Sequence, residues 1–135
     1  MDMTLRAVGV VRSVLTDKAT APKFETDNAP PATVVLDAAY AEAAKDLAQG
    51  QEILLFTWLH QADRACQAVH PRRDLSRPLT GVFSTRSPDR PNPIGLHQAR
   101  LTAVAGNVLT IDALEVLDGT PVIDIKPLAG RGKGD

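Results

Sequence analysis

The sequence predicts a mainly β domain, a small and mostly antiparallel β-barrel with one short helix. Three observations carry that expectation. About six short stretches rich in β-branched and apolar residues are separated by glycine, proline and polar turns, at the spacing of antiparallel architectures. One stretch alone has apolar residues at convincing helical spacing. No glycine-rich turn joins a strand to a helix, which speaks against the doubly wound, dinucleotide-binding class. With 135 residues, the chain has the size of one domain, with core enough to fold without a disulfide or structural metal.

Taken in order, Leu5 to Ser13 reads as a first strand with Leu5, Val8 and Val10 facing inward. Thr16 to Pro31 carries Pro22, Pro30 and Pro31 among polar groups, which excludes a central strand, and its length marks a binding loop. Val34-Val35-Leu36 is a short strand. Asp37 caps a helix running through Ala48, since Leu36, Tyr40, Ala43, Ala44 and Leu47 recur at helical spacing and Gly50 supplies the stop. Ile53 to Leu59 is a nearly continuous apolar run, too short for a typical helix, and reads as a buried strand delivering His60-Gln61 from the core. Gly81 to Ser84 makes another strand. Gly95 to Val104 and Val108 to Ala113 form a hairpin around Gly106-Asn107, with Ala99, Leu101 and Ala103 on one face and Leu109, Ile111 and Ala113 on the partner's. A last strand spans Val122 to Lys126, where Asp124 and Lys126 share a face and can pair with each other or with a loop arginine. Residues 1–128 are thus assigned to the barrel and 129–135 to a flexible, glycine-rich basic tail. That tail lacks the strand-to-helix context of a phosphate-binding loop.

A 44% hydrophobic and 23% charged composition is that of an ordinary soluble protein. Met1-Asp2-Met3-Thr4 is not a basic start before an apolar run, and no stretch approaches membrane-spanning length, so the expectation is a cytoplasmic protein with no membrane partner. Cys66 has no second cysteine for a disulfide or a zinc thiolate cluster, and reads as an incidental thiol. His60, His70 and His97 lack the close spacing of a metal site, and no metal is expected. The net charge of −1 hides a segregation: residues 63–100 hold seven arginines against three aspartates, +4, between flanks of −3 and −2. Arginine alone supplies this basic segment, and its planar fork grips phosphate or carboxylate bidentately. An ordinary solvated face accounts for the same charges equally well.

The most unusual stretch is Thr85-Arg86-Ser87-Pro88-Asp89-Arg90-Pro91-Asn92-Pro93-Ile94-Gly95-Leu96. Its three prolines fix three φ angles, so Arg86, Arg90 and Asn92 stand on a rigid loop that loses little entropy when a ligand arrives. A structural turn with solvated arginines is the other reading. Asp118-Gly119-Thr120 is likewise either a tight turn or part of a site, and His60 either a hydrogen-bonded structural residue or a functional one.

Gly81 through Leu96 closely resembles the signature of the TsaA/TrmO family, also called YaeB-like proteins. Leu117 through Pro127 resembles the family's second signature and Val8 through Ser13 its opening strand, so the resemblance spans most of the chain in the family's order. It implies an S-adenosylmethionine-dependent methyltransferase on a small β-barrel, acting as a homodimer with the cofactor near the subunit interface. The implied acceptor is the exocyclic nitrogen of threonylcarbamoyladenosine beside the anticodon of tRNA. The family's cofactor contacts correspond here to His60, Gln61, Arg86, Leu96, Asp112, Ala113, Leu114 and Glu115. Arg90, Asn92, Asp118 and Thr120 are candidates for substrate contacts. The chemistry is consistent: a carboxylate for Arg86, a ribose and adenine edge for Asp112 or Glu115, apolar surface for Leu96. His60 either touches the cofactor or takes the proton lost by the methylated nitrogen.

The chain departs from the family at Glu52-Ile53-Leu54, where His-Leu-Trp is frequent, at Lys23 to Asp27, where relatives carry Arg-Gln-Pro-Gly-like residues, and at Leu128 in place of a tyrosine. From its end at Asp135, the expectation is a chain without the additional domain of longer bacterial members. Two other functions fit these features: an S-adenosylmethionine-binding or sensing module with no RNA substrate, and a small-molecule methyltransferase.

Overall fold

The computed structural model describes residues 1–19, 21–22 and 28–129. The altered loop at Lys23 to Asp27 and the tail from residue 130 onward lie outside the described residues. Six strands, β1 (Gly9–Arg12), β2 (Ala32–Leu36), β3 (Glu52–Trp58), β6 (Ile94–Ala105), β7 (Val108–Ile111) and β8 (Pro121–Pro127), close into a barrel in the order β1-β2-β7-β6-β3-β8. Every pairing in it is antiparallel. A separate two-stranded sheet, β4 (Ala68–Val69) with β5 (Thr80–Gly81), forms an arm between β3 and β6. Closure leaves the barrel no open sheet edge. No helix among the described residues is long and apolar enough to cross a membrane.

Alternation along the strands builds the interior. Ile53, Leu55 and Thr57 of β3 point inward, as do Gly95, His97, Ala99 and Leu101 of β6, and Val11, Val34, Leu109, Ile111 and Val122 complete an apolar cluster. The 106–107 turn is tight: Gly106 has φ +59, the positive value that a two-residue hairpin demands at its first position.

Four local expectations are corrected. On β1 it is Val11 that is fully buried, while Val10 is half-buried and Leu5 is exposed. The inward partner of Val11 is Gly9, where an added Cβ would come within 3.2 Å of the Leu36 side chain, so the inward phase is marked by a residue without a side chain. Ala103 is exposed because the β6–β7 register shifts between Leu101 and Ala103, and this bulge puts Val104 against the core instead. β7 stops at Ile111, because the Asp112 carboxylate accepts from the Arg100 and Ala113 amides at 3.0 and 2.9 Å and ends the ladder. The helix is shorter than its periodicity suggests. Asp37 does cap it, accepting from Ala39 N at 3.0 Å, but a 3-10 turn (Ala38–Tyr40) leads into α1 (Ala41–Ala44) and the chain then continues in turns. Only Ala44 and Leu47 of this segment pack against the core, and so short a helix needs more burial than that to persist.

The arm is held by local polar contacts. His70 Nδ1 lies 2.9 Å from the Arg77 carbonyl, Arg73 N donates to His70 O at 3.0 Å and Asp74 N to Pro71 O at 3.1 Å. Arg72 and Arg73 both adopt left-handed backbone, with φ of 55° and 58°, a conformation costing roughly 1–2 kcal/mol for a residue with a Cβ. The Asp74 carboxylate accepts from the Ser76 hydroxyl at 2.6 Å and the Ser76 amide at 2.9 Å. These bonds, with Arg77 nearby, hold its carboxyl below the ordinary aspartate range. Because the ionised form is the one favoured by the fold, its contribution is complete above the ordinary aspartate pKa and is lost as pH falls through the depressed value. In an NMR titration the Ser76 amide should therefore keep its capped position through the ordinary aspartate range and move only at lower pH; a midpoint at or above that range would contradict the capping.

Candidate functional site

The proline-rich loop between β5 and β6 is organised around one side chain. Arg90, half-buried, donates from Nε to Ser87 O at 2.7 Å and from Nη2 to Val82 O and Thr85 O at 2.8 and 2.6 Å. Drawing three carbonyls onto one guanidinium curls the backbone, so the expected strand at Gly81 to Ser84 is corrected: β5 ends at Gly81 and Val82–Ser84 is a 3-10 turn. Thr85 Oγ1 adds a bond to Val82 O, and Ser87 Oγ accepts from Asp89 N. The prolines restrict the backbone from without and Arg90 fills the loop from within.

Three further segments are tied to this loop at one end of the barrel. Leu59 N, at the exit of β3, donates to Pro93 O at 2.8 Å. Arg64 lies over the Trp58 ring at 5.1 Å and donates to Pro91 O at 2.8 Å and Asn92 Oδ1 at 3.1 Å. Asp89 Oδ1 accepts from Asp63 N at 2.8 Å and is 3.8 Å from Lys18 Nζ, which donates to Gln61 O at 3.2 Å. The early loop, His60-Gln61 and the proline-rich loop are thereby brought together. Arg86 is exposed and reaches across to donate to Leu96 O at 2.9 Å, one bond from a group with five N–H donors. Leu96 itself points outward from β6, 38% exposed, close to Ile94 at 44% and with Phe83 at 85%.

Inside the wall, directly behind Leu96, is a polar cluster. His97 shares a 2.7 Å hydrogen bond between Nε2 and Thr57 Oγ1, and its Nδ1 lies 2.6 Å from Glu115 Oε1. All three residues are buried. A Cβ on Gly95 would collide with Thr57 Oγ1 and approach His97 Nε2 to 2.6 Å, so glycine is required there to admit the ring.

The segment 112–115 therefore sits differently from the other cofactor candidates. Asp112 is engaged with the Arg100 and Ala113 amides; Leu114 is fully buried, its amide donating to Pro30 O at 3.0 Å; and Glu115 faces the barrel interior. Arg86 and Leu96 lie on the outer surface of β6 and Glu115 behind it. Asp118 and Thr120 join β8 to the start of the chain: Asp118 Oδ1 accepts from Ser13 N at 3.1 Å and is 3.9 Å from Arg12, and the buried Thr120 donates its hydroxyl to Leu117 O at 2.7 Å. Gly119, at φ +84, makes the turn between them. Lys18, Arg64, Asp89 and His97 were not among the sequence candidates for cofactor or substrate contacts. For His97 a signal was present, since an inward glycine two residues before a polar residue marks a crowded interior.

A closed barrel fixes an exposed arginine on a preorganised loop beside a crossing of three chain segments, an arrangement with donors suited to a carboxylate. The profile of the tRNA-methyltransferase O N-terminal domain matches residues 10–131, and the chain belongs to that family. It is 39% identical over 127 residues to a probable S-adenosyl-L-methionine-binding protein of Methanothermobacter thermautotrophicus, covering 94% of this chain and 90% of the relative. It is 36% identical to the putative S-adenosylmethionine-dependent methyltransferase RcsF of Pseudomonas aeruginosa, covering 94% of this chain but 55% of that protein. The crystal structure of TrmO from P. aeruginosa superposes with a TM-score of 0.74 at 32% identity, over 96% of this chain. This chain spans 55% of that structure's length.

Two substitutions test the geometry. Arg90→Lys should lower stability by roughly 2–3 kcal/mol in chemical denaturation, because an ammonium cannot span three carbonyls and buried acceptors lose charged donors; a change within 0.5 kcal/mol would mean the loop does not depend on the guanidinium. Gly95→Ala should cost about 1–3 kcal/mol by overpacking, and much of that cost should disappear in a Thr57→Ala/His97→Ala background, whereas simple additivity would place the clash elsewhere.

Proposed function

We propose that this chain is an S-adenosylmethionine-dependent methyltransferase that acts as a homodimer on tRNA in the cytoplasm, with the exocyclic nitrogen of threonylcarbamoyladenosine beside the anticodon as acceptor. The observation that carries this reading is the placement of Arg86, exposed on the locked loop, beside Leu96 and on the same end as His60-Gln61. The residues suit the cofactor. Arg86 retains donors for an amino-acid carboxylate after its bond to Leu96 O, Leu96 offers apolar surface, and the exposed Gln61 side chain offers both donor and acceptor.

S-adenosylmethionine supplies a methyl group on a sulfonium, an already activated donor, so the protein's task is placement more than covalent chemistry. Arg86 anchors the carboxylate end, and the Arg90-centred loop keeps Arg86 in position. His60, exposed at the end of β3, accepts the proton that the acceptor nitrogen gives up as its bond to the methyl carbon forms. Arg90 and Thr120 act in this scheme through the loops they hold rather than by touching the acceptor.

A second copy fits the remaining features. The depression beside the proline-rich loop, lined by Gln67, Val82, Phe83 and Pro91 among others, measures about 190 Å³, below the roughly 300 Å³ at which pockets for drug-sized ligands begin. Exposed Phe83, Ile94 and Leu96 provide apolar surface for an identical chain to cover. In that arrangement the exposed Asp112 and half-buried Ala113 of a second copy can approach the Arg86 end, while Leu114 and Glu115 stay inside their own barrel.

Calorimetric titration with S-adenosylmethionine tests the cofactor and a methylation assay tests the acceptor. The native protein should bind, Arg86→Ala should lose affinity by roughly tenfold to a hundredfold, the worth of a charged hydrogen-bonded pair, and His60→Ala should lose turnover more than affinity. Well-folded protein that does not bind the cofactor overturns the reading. Binding without methylation of tRNA carrying unmethylated threonylcarbamoyladenosine overturns the acceptor and favours the sensing module.

A further inference from the structure

Asn92 is exposed, yet its backbone and its side chain are both fixed. It stands between Pro91 and Pro93, whose rings set the φ angles on either side, and a residue before proline is itself confined to extended backbone. The side chain is held by Arg64, which donates from Nη2 to Asn92 Oδ1 at 3.1 Å and from Nε to Pro91 O at 2.8 Å. Arg64 is fixed in turn. Its guanidinium lies 5.1 Å from the centroid of the Trp58 ring, and the amide of the preceding residue, Asp63, donates to Asp89 Oδ1 at 2.8 Å.

A guanidinium has donors and no acceptor, so it meets only the oxygen of an amide. This settles which way round the Asn92 side chain stands, since the hydrogen-bond network decides between an amide's two orientations. With Oδ1 turned to Arg64, the NH2 group is turned away from it, on an exposed residue. The contact with Arg64 uses only the oxygen, and a carboxylate would make it more strongly. What asparagine adds at this position is a pair of neutral donors in a fixed direction. Such donors suit a carbonyl oxygen, whereas phosphate and carboxylate are better met by a charged fork.

We propose that Asn92 is a specificity contact for the methyl acceptor, donating from Nδ2 to the carbonyl oxygen of the carbamoyl group that carries the reacting nitrogen, and that Arg64 is the positioning residue that holds the amide in its donating orientation. This rests on the reading that the acceptor is threonylcarbamoyladenosine in tRNA. Trp58 ends β3 two residues before His60, so one guanidinium ties the chain that carries His60 to the loop that carries Arg86 and Asn92. An amide whose orientation is already set loses little entropy on meeting its partner. A site built to hydrogen-bond a substrate group also discriminates against an analogue that lacks the group, here an adenosine without the carbamoyl oxygen.

The test is steady-state methylation, by the full chain, of tRNA carrying unmethylated threonylcarbamoyladenosine, beside S-adenosylmethionine affinity by calorimetry. Asn92→Asp keeps the oxygen for Arg64 and replaces the donor with an acceptor. It should be as stable as the native protein and bind the cofactor unchanged, while KM for tRNA rises roughly tenfold or more. Asn92→Ala, which adds no charge, should raise KM about threefold to tenfold; a rise with aspartate alone is a charge effect and overturns the contact. Arg64→Gln, whose own amide can meet Asn92 either way round, should raise KM roughly threefold in the native background and have little further effect on Asn92→Ala. Full additivity of those two substitutions overturns the positioning role, because Arg64 would then act on its own. Affinity for tRNA lacking the threonylcarbamoyl group should be indifferent to Asn92→Ala, and equal weakening toward both RNAs overturns the assignment to the carbonyl. An active protein whose KM is unchanged by Asn92→Asp overturns this contact while the methyltransferase reading stands. A native protein that methylates no such tRNA overturns both.

Discussion

A guanidinium has five donors in a rigid plane, and Arg90 uses that geometry to gather the carbonyls of Val82, Thr85 and Ser87 around one cation. These acceptors would otherwise be turned away from solvent in a loop whose prolines provide no amide donors at 88, 91 and 93. The site depends on this contact. Arg86 reaches Leu96 O only because the chain between them is folded back on itself, and the bonds to Pro91 O, Asn92 and Pro93 O that attach the exit of β3 have acceptors on the same loop. The central arginine of this loop is thus structural, while Arg86, four residues earlier, is exposed and keeps further donors.

The barrel interior imposes a second constraint. Burying His97 and Glu115 together costs desolvation, and their mutual attraction offsets that cost only while both are held close. Their positions fasten the segment after β7 to the inner face of β6, and Gly95 is the concession that makes room. The wall that brings Glu115 to His97 also separates it from Leu96 and Arg86. Groups on opposite sides of one strand cannot meet one ligand from the same barrel: Leu114 and Glu115 serve the interior, while Arg86 and Leu96 face outward.

Much of the fold was legible because alternation is a local property: β3, β7 and β6 as far as Leu101 have inward positions that can be read off residue by residue. The errors arose where the deciding contact was distant or invisible. Gly9 hid the phase of β1 because an inward glycine looks like no signal at all. The bulge after Leu101 moved Ala103 outward through pairing with β7, which no window on β6 contains. Val82–Ser84 has the composition of a strand and is curled by Arg90. The helix after Asp37 had its cap and its periodicity, and lacked only a core deep enough to support it. At the candidate site, Arg86 and Leu96 were legible as a motif, whereas Lys18 and Asp89 are joined across a separation in sequence that only the closed barrel spans.

The segregated charge shows how far composition can mislead about function. A block of +4 suggests one cationic surface, but side chains with planar forks serve carbonyls, rings and carboxylates as readily as phosphate. In this chain the arginines nearest the barrel are drawn into such internal roles, because it is there that loop carbonyls and aromatic faces need partners. Arg72, Arg73 and Arg77 are displaced to the arm, on a stretch exposed from 72 through 79 beside the two-stranded sheet. Division of labour along one arginine-rich segment follows from distance to the barrel: close in, the cations build the loop that presents Arg86, and farther out Arg77 pairs with Asp74 of the arm itself.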